Sequence, residues 1–245
     1  MSRSNPNQSV HPCTRWFEWS GKTGNLKYYD GEEMVEVDSK NFIFLVLDEL
    51  STVKGYDEAN KCGIYANEVR SIMDEPLVVK SYNGGEIAEG LYKNIKDKIK
   101  ANGARFVCNI YIAFKNDEGQ LVIGSLQLKG ASLNEWVQFR KQHKKMIDTH
   151  AVRIIGTKKG KKGAVKFVIP IFELYEASEE TNNVAIELDK ELQEYLSGYL
   201  SRRKGNVGDD EPHWEPDPDH EEESDISDEE ENSLIPDDET NDLPF

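Results

Sequence analysis

Apolar positions along this chain recur mostly with a period of two, the mark of half-buried strands, and in a few stretches with a period near four. Lys27-Tyr28-Tyr29 and Glu33 to Val37 flank Asp30-Gly31, which predicts two strands joined by a turn. Phe42 to Leu47 is an unbroken apolar run, long enough for a strand buried on both faces and too short for an independent helix. It is the expected centre of the core. Ile64 to Arg70 and Leu77 to Tyr82 are shorter strand candidates. Beyond Asn83-Gly84-Gly85, Ile87, Leu91, Ile95 and Ile99 recur every four residues with lysines between them, which predicts a helix closed by Asn102-Gly103.

A long hairpin is predicted next, from Arg105 to Lys115 and from Leu121 to Leu128, turned by Asn116-Asp117-Glu118-Gly119. Phe106, Cys108, Ile110, Ile112 and Phe114 form its apolar face, whereas Arg105, Asn109, Tyr111 and Lys115 lie on the other and offer cations and a ring to the outside. Ser132 with Glu135 reads as a capping box that opens a second helix running to about Met146. Strands near Ala151 to Thr157 and Ala164 to Tyr175 are joined by Lys158-Lys159-Gly160-Lys161-Lys162-Gly163, and a last helix from Val184 to about Arg203 carries Leu188, Leu192, Tyr195, Leu196 and Tyr199 on one stripe. No strand-helix-strand unit repeats. The order predicts a mainly β chain with added helices (α+β), either an antiparallel sheet or a helix-decorated barrel.

Charge divides the chain. The formal net charge is −16, but no Lys or Arg follows Lys204, and residues 205–245 carry 18 Asp and Glu, so the body is close to neutral. Within the body, Lys129 to Lys166 holds eleven Lys and Arg against Glu135 and Asp148. Lysines grouped this way exchange for the counterions of a polyanion, and glycines let the backbone follow it. Arg140, Lys141, Lys144, Lys145, Arg153, Lys158, Lys159, Lys161 and Lys162 are therefore candidate phosphate contacts. Aromatic residues interleave with cations at Arg15-Trp16-Phe17-Glu18-Trp19, at Tyr28 and at Tyr111. Rings stack on unpaired bases for about 1–3 kcal/mol each, and duplex DNA hides those base faces, so this pairing points to single strands. Arg15, Trp16, Trp19, Tyr28, Arg105, Tyr111 and Lys115 complete the candidate set.

The acidic segment closes with Asp242-Leu243-Pro244-Phe245. A large ring beside a terminal carboxylate, preceded by Asp, suits an apolar pocket with a basic rim on a partner protein. This ending resembles the acidic tip of bacterial single-stranded-DNA-binding proteins, with Leu243 where that family has Ile, and a slightly positive body of this length with an acidic tail resembles the single-stranded-DNA-binding proteins of tailed phages. The resemblance implies an oligonucleotide/oligosaccharide-binding (OB-fold-like) antiparallel barrel, single-stranded DNA as ligand, and replication or recombination proteins as partners of Asp242, Leu243, Pro244 and Phe245. It leaves oligomeric state open, a homo-oligomer included.

The expected organisation is a flexible N-terminus (1–12), a DNA-binding domain (13–204) and a disordered acidic interaction tail (205–245). No apolar run is long enough to span a membrane and Met1 to Val10 is polar, so a cytoplasmic protein with no membrane partner is expected. Cys13, Cys62 and Cys108 are widely spaced, which argues for reduced thiols and no metal; no cofactor is expected. Nucleotide-binding, hydrolase and metalloprotease signatures are lacking, so no enzyme is expected. Two other readings fit the same composition: an acidic-tailed adaptor that mimics nucleic acid, and an RNA-binding protein.

Overall fold

A computed structural model describes residues 10–202. The acidic tail and the first nine residues lie outside them. The chain is α+β, mostly strand, with eleven strands and three helices among the described residues. The strands are β1 (Arg15–Trp19), β2 (Leu26–Tyr29), β3 (Met34–Val37), β4 (Ile43–Asp57), β5 (Cys62–Ala66), β6 (Leu77–Ser81), β7 (Gly85–Gly90), β8 (Ala104–Lys115), β9 (Leu121–Lys129), β10 (Ala151–Lys162) and β11 (Val165–Tyr175); the helices are α1 (Tyr92–Ala101), α2 (Gly130–Gln142) and α3 (Glu179–Arg202).

One sheet runs β3-β2-β1-β9-β8-β4-β5-β6-β7, with β10 and β11 branching from β4. Its pairings are antiparallel except that β1 lies parallel to β9, with Trp16 opposite Ser125. The sheet is open, ending at β3 and β7, and does not close into a barrel. The strand after α2 has the chance to close it but pairs with β4 only at Val152↔Phe44 and Arg153↔Ile43 before leaving with β11 as a two-stranded ribbon.

β4 is the longest strand and pairs with β8 from Phe44↔Phe114 to Gly55↔Ala104. A bulge between Val46 and Asp48 puts one extra residue into β4 and changes which parity faces which side. Phe44 and Val53 enter the main core, whereas Leu45 and Leu50 face the opposite side. The predicted core run is therefore real but is the first third of a strand that continues past Asp48 and Glu49. The main core lies on one face, closed by Tyr92, Ile95 and Ile99 of α1 and by Leu133, Trp136, Val137 and Phe139 of α2.

α3 covers part of the other face. Its predicted stripe packs on the sheet: Leu192 and Leu196 are fully buried with Leu50, Tyr111 and Ile123, and Leu188, Tyr195 and Tyr199 flank them. Tyr111 is thus 1 % exposed, and Asn109 3 %. The expectation that this face of β8 is open to the outside is corrected, because an amphipathic helix distant in sequence supplies its cover.

Three local expectations also change. Ile87 and Leu91 lie outside α1, since Gly85–Gly90 pairs with β6 as a strand and Gly90, at φ 142°, sits opposite Leu77. Ser132 does not cap α2, which begins at Gly130; its hydroxyl donates to the Lys129 carbonyl and Glu135 binds Lys158 instead. The lysine run is a regular strand rather than a loop, and the ribbon turns only at Gly163-Ala164.

Burial of α3 is expected to contribute measurably to stability. Leu192→Ala should lower the urea unfolding free energy by about 2–5 kcal/mol, the usual cost of emptying a leucine site. A loss below about 0.5 kcal/mol would show that α3 does not pack on the sheet in solution.

Candidate nucleic-acid interface

The predicted cations separate into committed and uncommitted groups. Arg140 pairs with Glu49, which also accepts from the Trp136 indole at 3.1 Å. Burial pushes the Glu49 carboxyl above its usual range, and the Arg140 charge opposes that shift. Arg15 pairs with Asp117 and lies 4.8 Å over the Tyr28 ring, and Arg153 pairs with Glu173 at 2.6 Å. Arg105 donates to the Lys100 and Ala104 carbonyls, which fastens the end of α1. These four guanidiniums bind protein groups, although the Arg153 Nε is buried with no hydrogen-bond partner among the described residues.

Lys115, Lys141, Lys144, Lys145, Lys159, Lys161 and Lys162 are exposed, and none has an ion pair among the described residues. They do not form one patch. Lys158 meets Glu135 at 2.5 Å in the middle of α2, while Lys141 lies at the helix's last turn and Lys144 and Lys145 beyond it. The basic segment is therefore divided between the ribbon and the C-terminal end of α2.

The ribbon is held on both sides of its stem. Asn41 and Phe42 exchange backbone hydrogen bonds with Ile154, and farther out Val168 donates to the Gly21 carbonyl at 2.7 Å while its own carbonyl accepts from the Trp19 indole. Trp19, 2 % exposed, is consequently an anchor for the ribbon and not an open stacking platform. Gly24 has φ 77°, and a Cβ there would meet Val168 at 3.0 Å, so glycine lets the ribbon lie down at this point. Gly160 has a packing reason as well: the Phe167 ring covers it, and a Cβ would come within 2.1 Å of that ring.

At the tip, alternation distributes the lysines over both faces. Lys161 stands opposite Lys166 and Lys159 opposite Val168 on one face, with Lys158 and Lys162 on the other. Like charges directly opposite in an antiparallel ladder destabilise it. No Asp or Glu occurs between Lys158 and Val168 to offset that repulsion, so an anion bound at the tip gains what the free ribbon lacks.

Sequence reasoning found only Arg105 of a second set of residues on the sheet face beside α3. Arg105, Lys54, Tyr65 and Lys80 stand in one cross-strand row over β8, β4, β5 and β6, and the Tyr82 ring lies 4.6 Å from that of Tyr65. Tyr82 is 44 % exposed. Toward β1 the same face continues through Lys129, which pairs with Glu18 at 2.9 Å. Lys129, Lys54 and Lys27 together hold the Glu18 carboxyl below its usual range although burial acts the other way. The available signal was the alternation Thr52-Val53-Lys54, which continues the strand beyond the two carboxylates that seem to end it.

Between this row and α3 lies a recess lined by Trp16, His11, Tyr195 and Tyr199 above Asn109 and Gln127. The His11 ring sits 4.6 Å from Tyr195 and 5.3 Å from Trp16. Of the predicted stacking residues, Trp16 and Tyr28 are half-buried, so part of each ring is accessible. Tyr111 lies beneath, donating to Glu68 at 2.5 Å; burial, then the Glu68 charge, push its phenol well up. Among the described residues no three His, Cys, Asp or Glu side chains converge as a metal site requires, and no helix is long and apolar enough to cross a membrane. The predicted partner contacts Asp242, Leu243, Pro244 and Phe245 lie outside the described residues. Compared with known proteins, the chain matches no family model, no curated protein and no solved structure.

His11 gives the recess a pH signature. Desolvation, and then the Lys54 charge, lower its pKa from 6.5 to about 4. The folded state therefore holds His11 neutral while the unfolded chain takes up a proton below pH 6.5, so its contribution to stability is complete above 6.5 and is lost as the pH falls toward 4. The urea midpoint should drop less between pH 7 and 4.5 in His11→Phe than in the wild type. Equal drops would contradict the burial of a neutral imidazole.

Proposed function

We propose that this protein binds and protects single-stranded DNA largely independently of sequence, without catalysis or a cofactor, during replication, recombination or repair. The observation that carries the reading is the ribbon tip, where Lys161 and Lys166 face each other with no acidic residue near them in sequence. A site that sets cations against each other in the free protein is relieved by phosphate. The row of Lys54, Tyr65, Lys80 and Tyr82 supports single strands over duplex, because it alternates ammonium groups with rings along one line of the sheet. β1, β9, β8, β4 and β5 serve as the platform, in the manner of the partly open barrel of oligonucleotide-binding folds.

Residues 205–245 add the second half of the proposal. Their 18 carboxylates compete with DNA for the lysines when DNA is absent, and Leu243, Pro244 and Phe245 recruit partner enzymes when DNA displaces the segment. Anisotropy titrations with oligo-dT, duplex DNA and RNA across a salt series test the reading. Oligo-dT should bind more tightly than duplex, and the combined Lys159→Ala, Lys161→Ala, Lys162→Ala variant should lower the slope of log K against log salt by about 2, from roughly 0.7 per lost phosphate contact. Equal affinity for duplex, or an unchanged slope, would contradict it. A chain ending at Lys204 should bind oligo-dT more tightly, and unchanged affinity would remove the competition. If the tail acts alone, as in an adaptor that mimics nucleic acid, the lysine substitutions leave partner binding untouched and no strand binds.

A further inference from the structure

The recess beside α3 holds a polar atom that its surroundings do not explain. Asn109 is 3 % exposed, and its amide nitrogen donates to Glu68 at 2.5 Å, an orientation the carboxylate dictates. That leaves the Asn109 Oδ1 buried with no donor among the described residues. A buried acceptor left unmet costs about 1–3 kcal/mol. Ser125, on β9 opposite Tyr111, has a second side-chain oxygen in the same condition.

The walls around this acceptor are rings: His11, Trp16, Tyr195 and Tyr199. The free volume is about 40 Å³, enough for an amino group and the edge of a ring and too little for a whole base. Lys54 belongs both to the recess and to the cation-and-ring row on the sheet. A strand crossing that row therefore passes the mouth of the recess.

We propose that the recess admits the edge of one nucleobase bearing an exocyclic amino group, with Asn109 Oδ1 as the acceptor and the surrounding rings against the base. This rests on the single-strand reading above and adds base preference to it. Cytosine presents an amino donor where thymine presents a carbonyl oxygen, and a carbonyl facing Asn109 Oδ1 and the Glu68 carboxylate sets acceptor against acceptor. The discrimination is local, because only the strand position at the recess is read.

Competition titrations of the full chain with oligo-dC and oligo-dT of equal length, at pH 7.5 and fixed salt, test this. Oligo-dC should bind about three- to tenfold more tightly, the span of one net hydrogen bond. Asn109→Leu, which removes the acceptor at nearly constant volume, should make the two strands equal and leave the salt slope unchanged. The wild-type comparison stands even if that variant fails to fold. Equal affinity in the wild type, or tighter oligo-dT, would overturn the base pocket while leaving single-strand binding intact; binding of neither strand would overturn both.

Discussion

The bulge in β4 decides what each face of the sheet presents. Before it, Phe44 points into the main core and Leu45 away; after it, Val53 points in and Leu50 away. Just after the bulge two adjacent carboxylates serve opposite sides of the strand, as successive strand residues do. Glu49 accepts from Trp136 and Arg140 of α2, while Asp48 accepts from Arg70 at 2.9 Å and from Gln193 of α3. Without the shift in parity, Lys54 would point into the core beside Ile64. The candidate interface thus inherits its outward lysine from a backbone irregularity about seven residues back along the same strand.

α3 then divides the outer face into a covered and an open part. Its leucines bury Leu50, Tyr111 and Ile123, and its Tyr195 and Tyr199 form a wall at the boundary. A polar network sits under that wall: Glu68 accepts from both Asn109 and Tyr111. Buried polar groups are costly unless satisfied, and here the network is incomplete by one acceptor at the place where helix and open sheet meet. The ribbon lies elsewhere, pinned by Trp19 and Gly21, so cations are presented both on the sheet face and on the ribbon.

Much of the strand content could be read from alternation, and the amphipathic stripe of α3 was legible at full strength because Leu188 to Tyr199 repeat at helical spacing over about three turns. The errors share a physical cause, which is that contacts between distant segments override local pattern. Tyr111 alternates like an exposed residue because its neighbours are polar, but Asn109 is polar in order to meet Glu68 across the fold. Trp19 looked like a platform and is tied to Val168, nearly 150 residues away. Ile87 and Leu91 extended a helical repeat by coincidence; the strand partner of Gly85–Gly90 decided otherwise. Charge counting found the basic segment, but Arg140, Arg153, Lys129 and Lys158 in it pair with Glu49, Glu173, Glu18 and Glu135, leaving Lys141, Lys144, Lys145, Lys159, Lys161 and Lys162 without an ion pair among the described residues.

The central claim is that single-stranded DNA lies across the open sheet face and against the ribbon. Amide hydrogen exchange of the full chain with and without a saturating oligo-dC tests it most directly. The account predicts added protection in residues 52–57, 62–66 and 157–168, with the remaining strands unchanged. Protection confined to residues outside those segments, or none at all under conditions where the oligonucleotide is bound, would contradict it.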